Sequence, residues 1–218
     1  MFAAPFLCQL GNGHVDGVYQ LAKDPNSLNH LASGSGDGII KVWDLSSREQ
    51  TWHAAAHTNI VKGMSWTRDQ KLLTCGSDRK VQLFDPYHTP AEAPPISTWL
   101  GNNGFTSLSH HRSKNAFAAS SGSVISIYDL DRHSAAPEVL QWPTSTDTIT
   151  AVSFNQIEQS VLASVASDRS IVLCKYHKGS CDAVGVSFEC QTSTSIKAHL
   201  IAILQIHIRS SLLTNSTV

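Results

Sequence analysis

Leu31-Ala32-Ser33-Gly34-Ser35-Gly36-Asp37-Gly38-Ile39-Ile40-Lys41-Val42-Trp43-Asp44 decides how the rest of the chain is read. A run of small residues ends at Asp-Gly, a strong hairpin signal, and an alternating β-branched run follows it. The same order returns in Leu73-Thr74-Cys75-Gly76-Ser77-Asp78-Arg79-Lys80-Val81-Gln82-Leu83-Phe84-Asp85. It returns again in Ala118–Asp129, around Gly122, and in Leu162–Leu173, around Asp168. Trp43 to Phe84 is 41 residues and Phe84 to Tyr128 is 44, the period of a four-stranded propeller blade.

Upstream of each hairpin lies another strand pattern: Val18–Ala22, Val61–Trp66, Phe105–Ser109 and Ile149–Phe154. Polar turns such as Asp24-Pro25-Asn26 and Thr67-Arg68-Asp69 follow them. Up to Leu173 no stretch has the period of a long amphipathic helix.

The 218 residues are 41% hydrophobic and 15% charged, which excludes a charge-rich disordered chain. Sixteen Lys and Arg against seventeen Asp and Glu leave a net charge of −1, so this is not a generally basic nucleic-acid binder. Any RNA contact has to be local. The longest apolar stretch, Ala198–Ile208, is too short for a membrane span and carries two histidines. Met1–Leu10 has no positive segment and makes a poor secretory signal. Five unevenly placed cysteines fit a reducing compartment better than a disulfide framework.

Gly13-His14 opens the first unit, Ala56-His57 the second, and Trp43-Asp44 closes the first. With these motifs the chain from Gly13 to Leu173 resembles the WD-repeat family. The resemblance implies a hydrogen-bonded tetrad of His, Ser or Thr, Asp and Trp within a blade. The matching residues are His14, Ser33, Asp37 and Trp43. A carboxylate in a tight turn needs donors, and the imidazole and hydroxyl supply them. The second unit keeps His57, Thr74 and Asp78 but has Phe84, which donates nothing, so its network ends one member short. The third has Gly122 where Asp is expected and therefore no tetrad.

Phe2-Ala3-Ala4-Pro5-Phe6, His14-Val15-Asp16-Gly17-Val18, Trp52-His53-Ala54-Ala55-Ala56-His57 and Phe117-Ala118-Ala119-Ser120 resemble the SOF-type branch of that family, which acts in the small-subunit processome. That resemblance implies a non-enzymatic scaffold in small-subunit (18S) rRNA maturation, placed in the nucleolus. Its partners would be processome proteins and, locally or through them, pre-rRNA. The animal members imply an alternative, a substrate-recruiting adaptor of a cullin-type ubiquitin ligase. Adaptor-binding repeats often end in aromatic-Asp-x-Arg, which none of Trp43-Asp44-Leu45-Ser46, Phe84-Asp85-Pro86-Tyr87 and Tyr128-Asp129-Leu130-Asp131 provides.

In the first two units the closing aromatic lies six residues after the turn Asp, whereas Asp168 plus six is Cys174. The stretch 174–218 has no small-residue run, turn Asp or closing pair. It reads either as a diverged fifth blade or as translation into an unspliced intron, because Cys174-Lys175-Tyr176 can be encoded with a GTAAGT splice donor. Read-through is the favoured reading. The expected domains are a partial propeller over 1–173, with blades near 13–44, 56–85, 102–129 and 147–173, then a non-homologous tail over 174–218. The final strand of the fourth blade, Ser170–Leu173, is expected to be cut short.

Gly34-Ser35-Gly36-Asp37-Gly38 is not a phosphate cradle, since a strand and not a helix follows it. Cys174, His177, Cys181, Cys190 and His199 contain no CxxC pair, which argues against zinc. His110, His111 and Arg112 follow a strand and read as solvated loop residues without a catalytic partner. His14 and Asp37 are structural rather than a catalytic dyad. Arg48, Lys71, Arg79, Lys80, Arg112 and Lys114 lie in or beside turns, where they reach RNA phosphates or only solvent. No catalytic residue, cofactor, metal site, membrane contact or small-molecule substrate is expected. The fold class is all-β: an incomplete WD-repeat β-propeller of about four blades with a poorly structured C-terminal tail.

Overall fold

The computed structural model describes residues 10–132, 135–141, 147–155, 161–177 and 180–184. In the first unit Gly36, Asp37 and Gly38 turn the chain between β2 (His30–Ser35) and β3 (Ile39–Asp44). β1 (Val18–Lys23) pairs with the free edge of β2, and β4 (Glu49–Ala55) with that of β3. The second unit builds β5 (Val61–Trp66), β6 (Leu72–Gly76), β7 (Lys80–Phe84) and β8 (Ser97–Leu100) in the same order. The third builds β9 (Phe105–His110), β10 (Ala116–Ser121), β11 (Val124–Asp129) and β12 (Glu138–Gln141). The fourth builds β13 (Ile149–Phe154), β14 (Val161–Ala166), β15 (Ile171–His177) and β16 (Ser180–Val184).

All pairings within the sheets are antiparallel between neighbours in sequence. The first strands lie side by side, β1 by β5, β5 by β9 and β9 by β13. Among the described residues β13 makes no comparable approach to β1, so the four sheets form an arc, an incomplete propeller.

The turns share a backbone device. The residue after each turn Asp is left-handed: Gly38 at φ 79°, Arg79 at 67° and Arg169 at 71°. In the third unit Gly122 takes that conformation directly after β10, at φ 60°, and the turn is one residue shorter. At Gly38 glycine is required twice over, because a Cβ would also lie 1.9 Å from the His57 carbonyl oxygen.

Where two sheets adjoin, apolar side chains from their facing sides pack into a shared core. Ile40, Val42 and Trp52 meet Val61, Met64 and Phe84 between the first two sheets. Leu73, Val81 and Trp99 meet Phe105, Phe117 and Tyr128 between the second and third. Ile125, Ile127 and Leu140 meet Val152, Phe154 and Leu162 between the third and fourth. Each fully buried Leu, Ile or Phe there contributes about 1.5–3 kcal/mol.

One expectation needs correction. The fourth unit does not stop at Leu173: β15 continues to His177 and pairs with β16, from Leu173↔Val184 to His177↔Ser180. Ladder hydrogen bonds come from the backbone, so a missing closing aromatic does not end the pairing. Cys174, in the middle of β15, is buried and disulfide-bonded, against the expectation of reduced thiols. The segment beyond 184, with its apolar run at 198–208, lies outside the described residues.

Candidate functional site

The turn ends of the sheets carry the residues that the motif pattern singles out. In the first unit His14 Nε2 lies 2.7 Å from Ser33 Oγ, and the Trp43 indole N–H donates to the same hydroxyl at 2.8 Å. Asp37 does not close the network. Its carboxylate is 3.8 Å from His14 Nδ1, beyond hydrogen-bond reach, and both His14 Nδ1 and Asp37 Oδ2 are buried without a partner. Asp37 Oδ1 instead accepts the Ile39 backbone N–H at 2.9 Å, within its own turn. Burial works to raise the Asp37 pKa, but hydrogen bonds from Ile39 and Ser35 and the nearby His14 outweigh it and hold it low.

In the second unit His57 is fixed at both ring nitrogens, to Asp78 Oδ1 at 2.9 Å and to Thr74 Oγ1 at 3.0 Å. Asp78 also accepts the Thr58 and Lys80 backbone N–H groups at 3.2 and 3.3 Å. The His57 backbone N–H donates to the Gly38 carbonyl at 3.0 Å, so the turn of the first sheet presses on the histidine of the second. Phe84 ends the network and packs edge-on against Trp52 instead. Burial lowers the pKa of both His57 and His14, against the pull of their aspartates. These histidines connect strands, and the hydroxyls they meet, Ser33 and Thr74, are buried.

A second set of buried polar groups, which the motif pattern did not reveal, lies at the opposite ends of the first strands. The residue directly after each first strand is Asp24, Thr67, His111 or Asn155, and all four are buried. Three of them accept backbone N–H groups of the turn they open. Asp24 Oδ1 takes Asn26 at 2.8 Å, Thr67 Oγ1 takes Lys71 at 3.0 Å, and His111 Nδ1 takes Ser113 and Lys114 at 3.2 and 3.1 Å. A buried acceptor here replaces water for turn amides that the sheet cannot pair. The only sequence signal was a polar residue recurring at one offset.

Asp24 reaches further. The Tyr87 hydroxyl donates to its Oδ2 at 2.6 Å and lies 2.8 Å from His30 Nδ1, tying the second unit's closing loop to the first sheet. Burial and the Asp24 carboxylate push the Tyr87 pKa far above the usual phenol value. Trp66 stacks on Tyr87 at 5.7 Å and donates its indole N–H to the Ala22 carbonyl at 3.0 Å.

Between these strand ends lies a cavity of about 810 Å³, walled by Lys23, Arg68, His110 and Arg112 over Met64 and Trp66. The reading of His110 and His111 as solvated loop residues is overturned, because they are 6% and 1% exposed. His110 closes β9, where the third sheet packs on the second, and burial lowers its pKa to about 4. Arg112 is exposed, as expected of a loop residue. Among the described residues no three His, Cys, Asp or Glu side chains gather as metal ligands. Of the set considered and rejected for zinc, Cys190 and His199 lie outside the described residues.

Four repeating antiparallel sheets around a common line of first strands, with His-Ser/Thr links at the turn ends, define a protein class. The first two units match WD40 repeats, and the four sheets form part of a β-propeller. The family described as WD domain, G-beta repeat matches residues 7–44 and 48–85. Among individual proteins, the chain is 41% identical over 173 residues to protein sof1 of Schizosaccharomyces pombe, which covers 79% of this chain and 38% of that one. It is 38% identical over 177 residues to DDB1- and CUL4-associated factor 13 of Dictyostelium discoideum, covering 79% and 39%. To SOF1 of Saccharomyces cerevisiae it is 38% identical over 198 residues, covering 79% and 40%. The chain thus spans about two fifths of the length of these relatives. A chain in the crystal structure of the mitotic checkpoint complex superposes with a TM-score of 0.70 at 19% identity, over 83% of this chain and 54% of that one, a likeness of fold alone.

Proposed function

We propose that this chain is a non-enzymatic interaction scaffold of the small-subunit processome, serving 18S rRNA maturation in the nucleolus. The observation that carries the reading is the 41% identity to protein sof1 over the four repeats. The side chains agree with it: the buried histidines and carboxylates are spent on holding sheets and turns together, and the cations stay at the surface. Partners on this reading are processome proteins, with pre-rRNA contacted locally or through them. Affinity capture of the tagged chain from nuclear extract should recover U3-type ribonucleoprotein components, and gradient sedimentation should place it with precursor ribosomes. Recovery of cullin adaptor proteins alone, with no pre-rRNA, would overturn the reading.

A second reading has its own support, because relatives 37–38% identical carry the name DDB1- and CUL4-associated factor 13. On it the chain recruits substrates to a cullin-type ubiquitin ligase. Arg132 stands three residues after Asp129, one place beyond the aromatic-Asp-x-Arg spacing, and lies 3.9 Å from that carboxylate. The same capture experiment separates the two.

A further inference from the structure

Lys23 is the last residue of β1, Arg68 the second residue after β5, and Arg112 the second after β9. More than forty residues separate each from the next, yet all three wall one cavity of about 810 Å³. Each comes from a different sheet, and the three sheets are neighbours along the arc. Ala22, Pro25, Met64 and Trp66 supply an apolar floor. Among the described residues no carboxylate lines this cavity; Asp69 lines the adjoining one of about 150 Å³, together with Lys114. His110 in the shared wall is 6% exposed, and its Nε2 has no hydrogen-bond partner. A buried polar atom left open in this way is a group that a ligand satisfies.

We propose that this cavity binds the backbone of single-stranded RNA, with successive phosphates seated on the cations of successive sheets. Each phosphodiester carries one negative charge, and the charges recur along the strand at intervals. That pattern matches three separate cations better than a single phosphomonoester or carboxylate, which would engage one and leave two unanswered. An unstacked base can lie on the apolar floor, as bases do on stacking platforms. An acidic peptide brings its charge on flexible side chains and has no planar ring for that floor. The near-neutral net charge of −1 is no obstacle, because this footprint is local. The inference rests on the cavity and not on the assembly role proposed above, so either can fail alone.

The test is fluorescence anisotropy of the full chain with a fluorescein-labelled oligouridylate of twelve nucleotides, across a salt series. Three phosphate contacts predict a slope of log K against log salt of about −2. Lys23→Gln/Arg68→Gln/Arg112→Gln should bind at least tenfold more weakly and flatten the slope. Arg48→Gln/Arg79→Gln/Lys80→Gln, which removes equal charge elsewhere, should leave binding unchanged, and Arg68→Lys should keep most of it. Circular dichroism establishes that each variant is folded; if the triple variant is not, Arg68→Glu alone must show the loss. Undiminished binding by the folded cavity variant would overturn the proposal. So would an oligoglutamate of equal charge that competes as well as the RNA, or a duplex RNA bound as tightly.

Discussion

The first two repeats solve the same problem with different members of one set. The first has the indole that the second lacks: Trp43 donates to Ser33, whereas Phe84 donates nothing to Thr74. The second has the short imidazole–carboxylate contact that the first lacks, 2.9 Å at His57–Asp78 against 3.8 Å at His14–Asp37. The neighbouring sheet explains the difference. His57 is clamped from behind by the Gly38 turn, while His14 precedes the first strand and the described residues place no sheet behind it. Packing between repeats therefore decides how well a network inside a repeat closes.

Breaking the clamp should cost most. Gly38→Ala puts a side chain at φ 79° and drives its Cβ into the His57 carbonyl, so it should lose about 4 kcal/mol in urea unfolding. A loss below 1 kcal/mol would mean that the two repeats do not communicate through this turn. Next come the two turn aspartates. Asp78→Ala strands His57 and two backbone N–H groups, a cost of about 3 kcal/mol, whereas Asp37→Ala strands mainly the Ile39 N–H, about 1 kcal/mol. Equal losses would show that the two distances do not matter.

Acid should expose the histidines of both repeats. Burial holds His57, His14 and His110 below their ordinary value, His110 at about 4. Each takes up a proton on unfolding, so the stability they confer is whole above pH ~6.5 and drains away as the pH falls towards about 4. The share due to His110 is about 3 kcal/mol at the acid limit, reached gradually, so that between pH 7.5 and pH 5.5 this site alone removes about 1 kcal/mol, and His57 and His14 add to it in the same direction. Urea midpoints at those two pH values measure the slope, and His110→Phe should flatten it; a pH-independent midpoint would contradict the buried, neutral assignment.

Two smaller changes sharpen the comparison. Trp43→Phe gives the first repeat the second repeat's aromatic and should cost about 1 kcal/mol, the worth of one hydrogen bond. Arg79→Gly gives the second turn the first turn's residue at φ 67°. Relief of left-handed strain and the added freedom of the unfolded chain nearly cancel, and the thermal midpoint should move by less than the equivalent of about 0.5 kcal/mol.

The hairpins were legible because their signals are local. Asp37-Gly38 and Asp78-Arg79 mark turns, and alternation on either side marks strands, so β2, β3, β6 and β7 lie where the residues 31–43 and 72–84 place them. The outer strands β4, β8 and β12 carried little signal: Ser97–Leu100 and Glu138–Gln141 are four residues each, at sheet edges where few side chains need burial. The sequence places the end of the fourth repeat at Leu173 because no closing aromatic follows, but the ladder to β16 uses backbone alone.

By itself, then, the sequence determined the repeat, its period, its turns and the identity of the residues available to link them, all properties set within some fourteen consecutive residues. Only the tertiary structure decided which of those links close, that His110 and His111 are buried, that Tyr87 reaches back to Asp24, and that Lys23, Arg68 and Arg112 share a wall. Those outcomes depend on how one sheet packs on the next. A difference of 0.9 Å between two equivalent pairs goes with a clamp whose two ends, Gly38 and His57, lie nineteen residues apart in the chain, on which no local pattern bears.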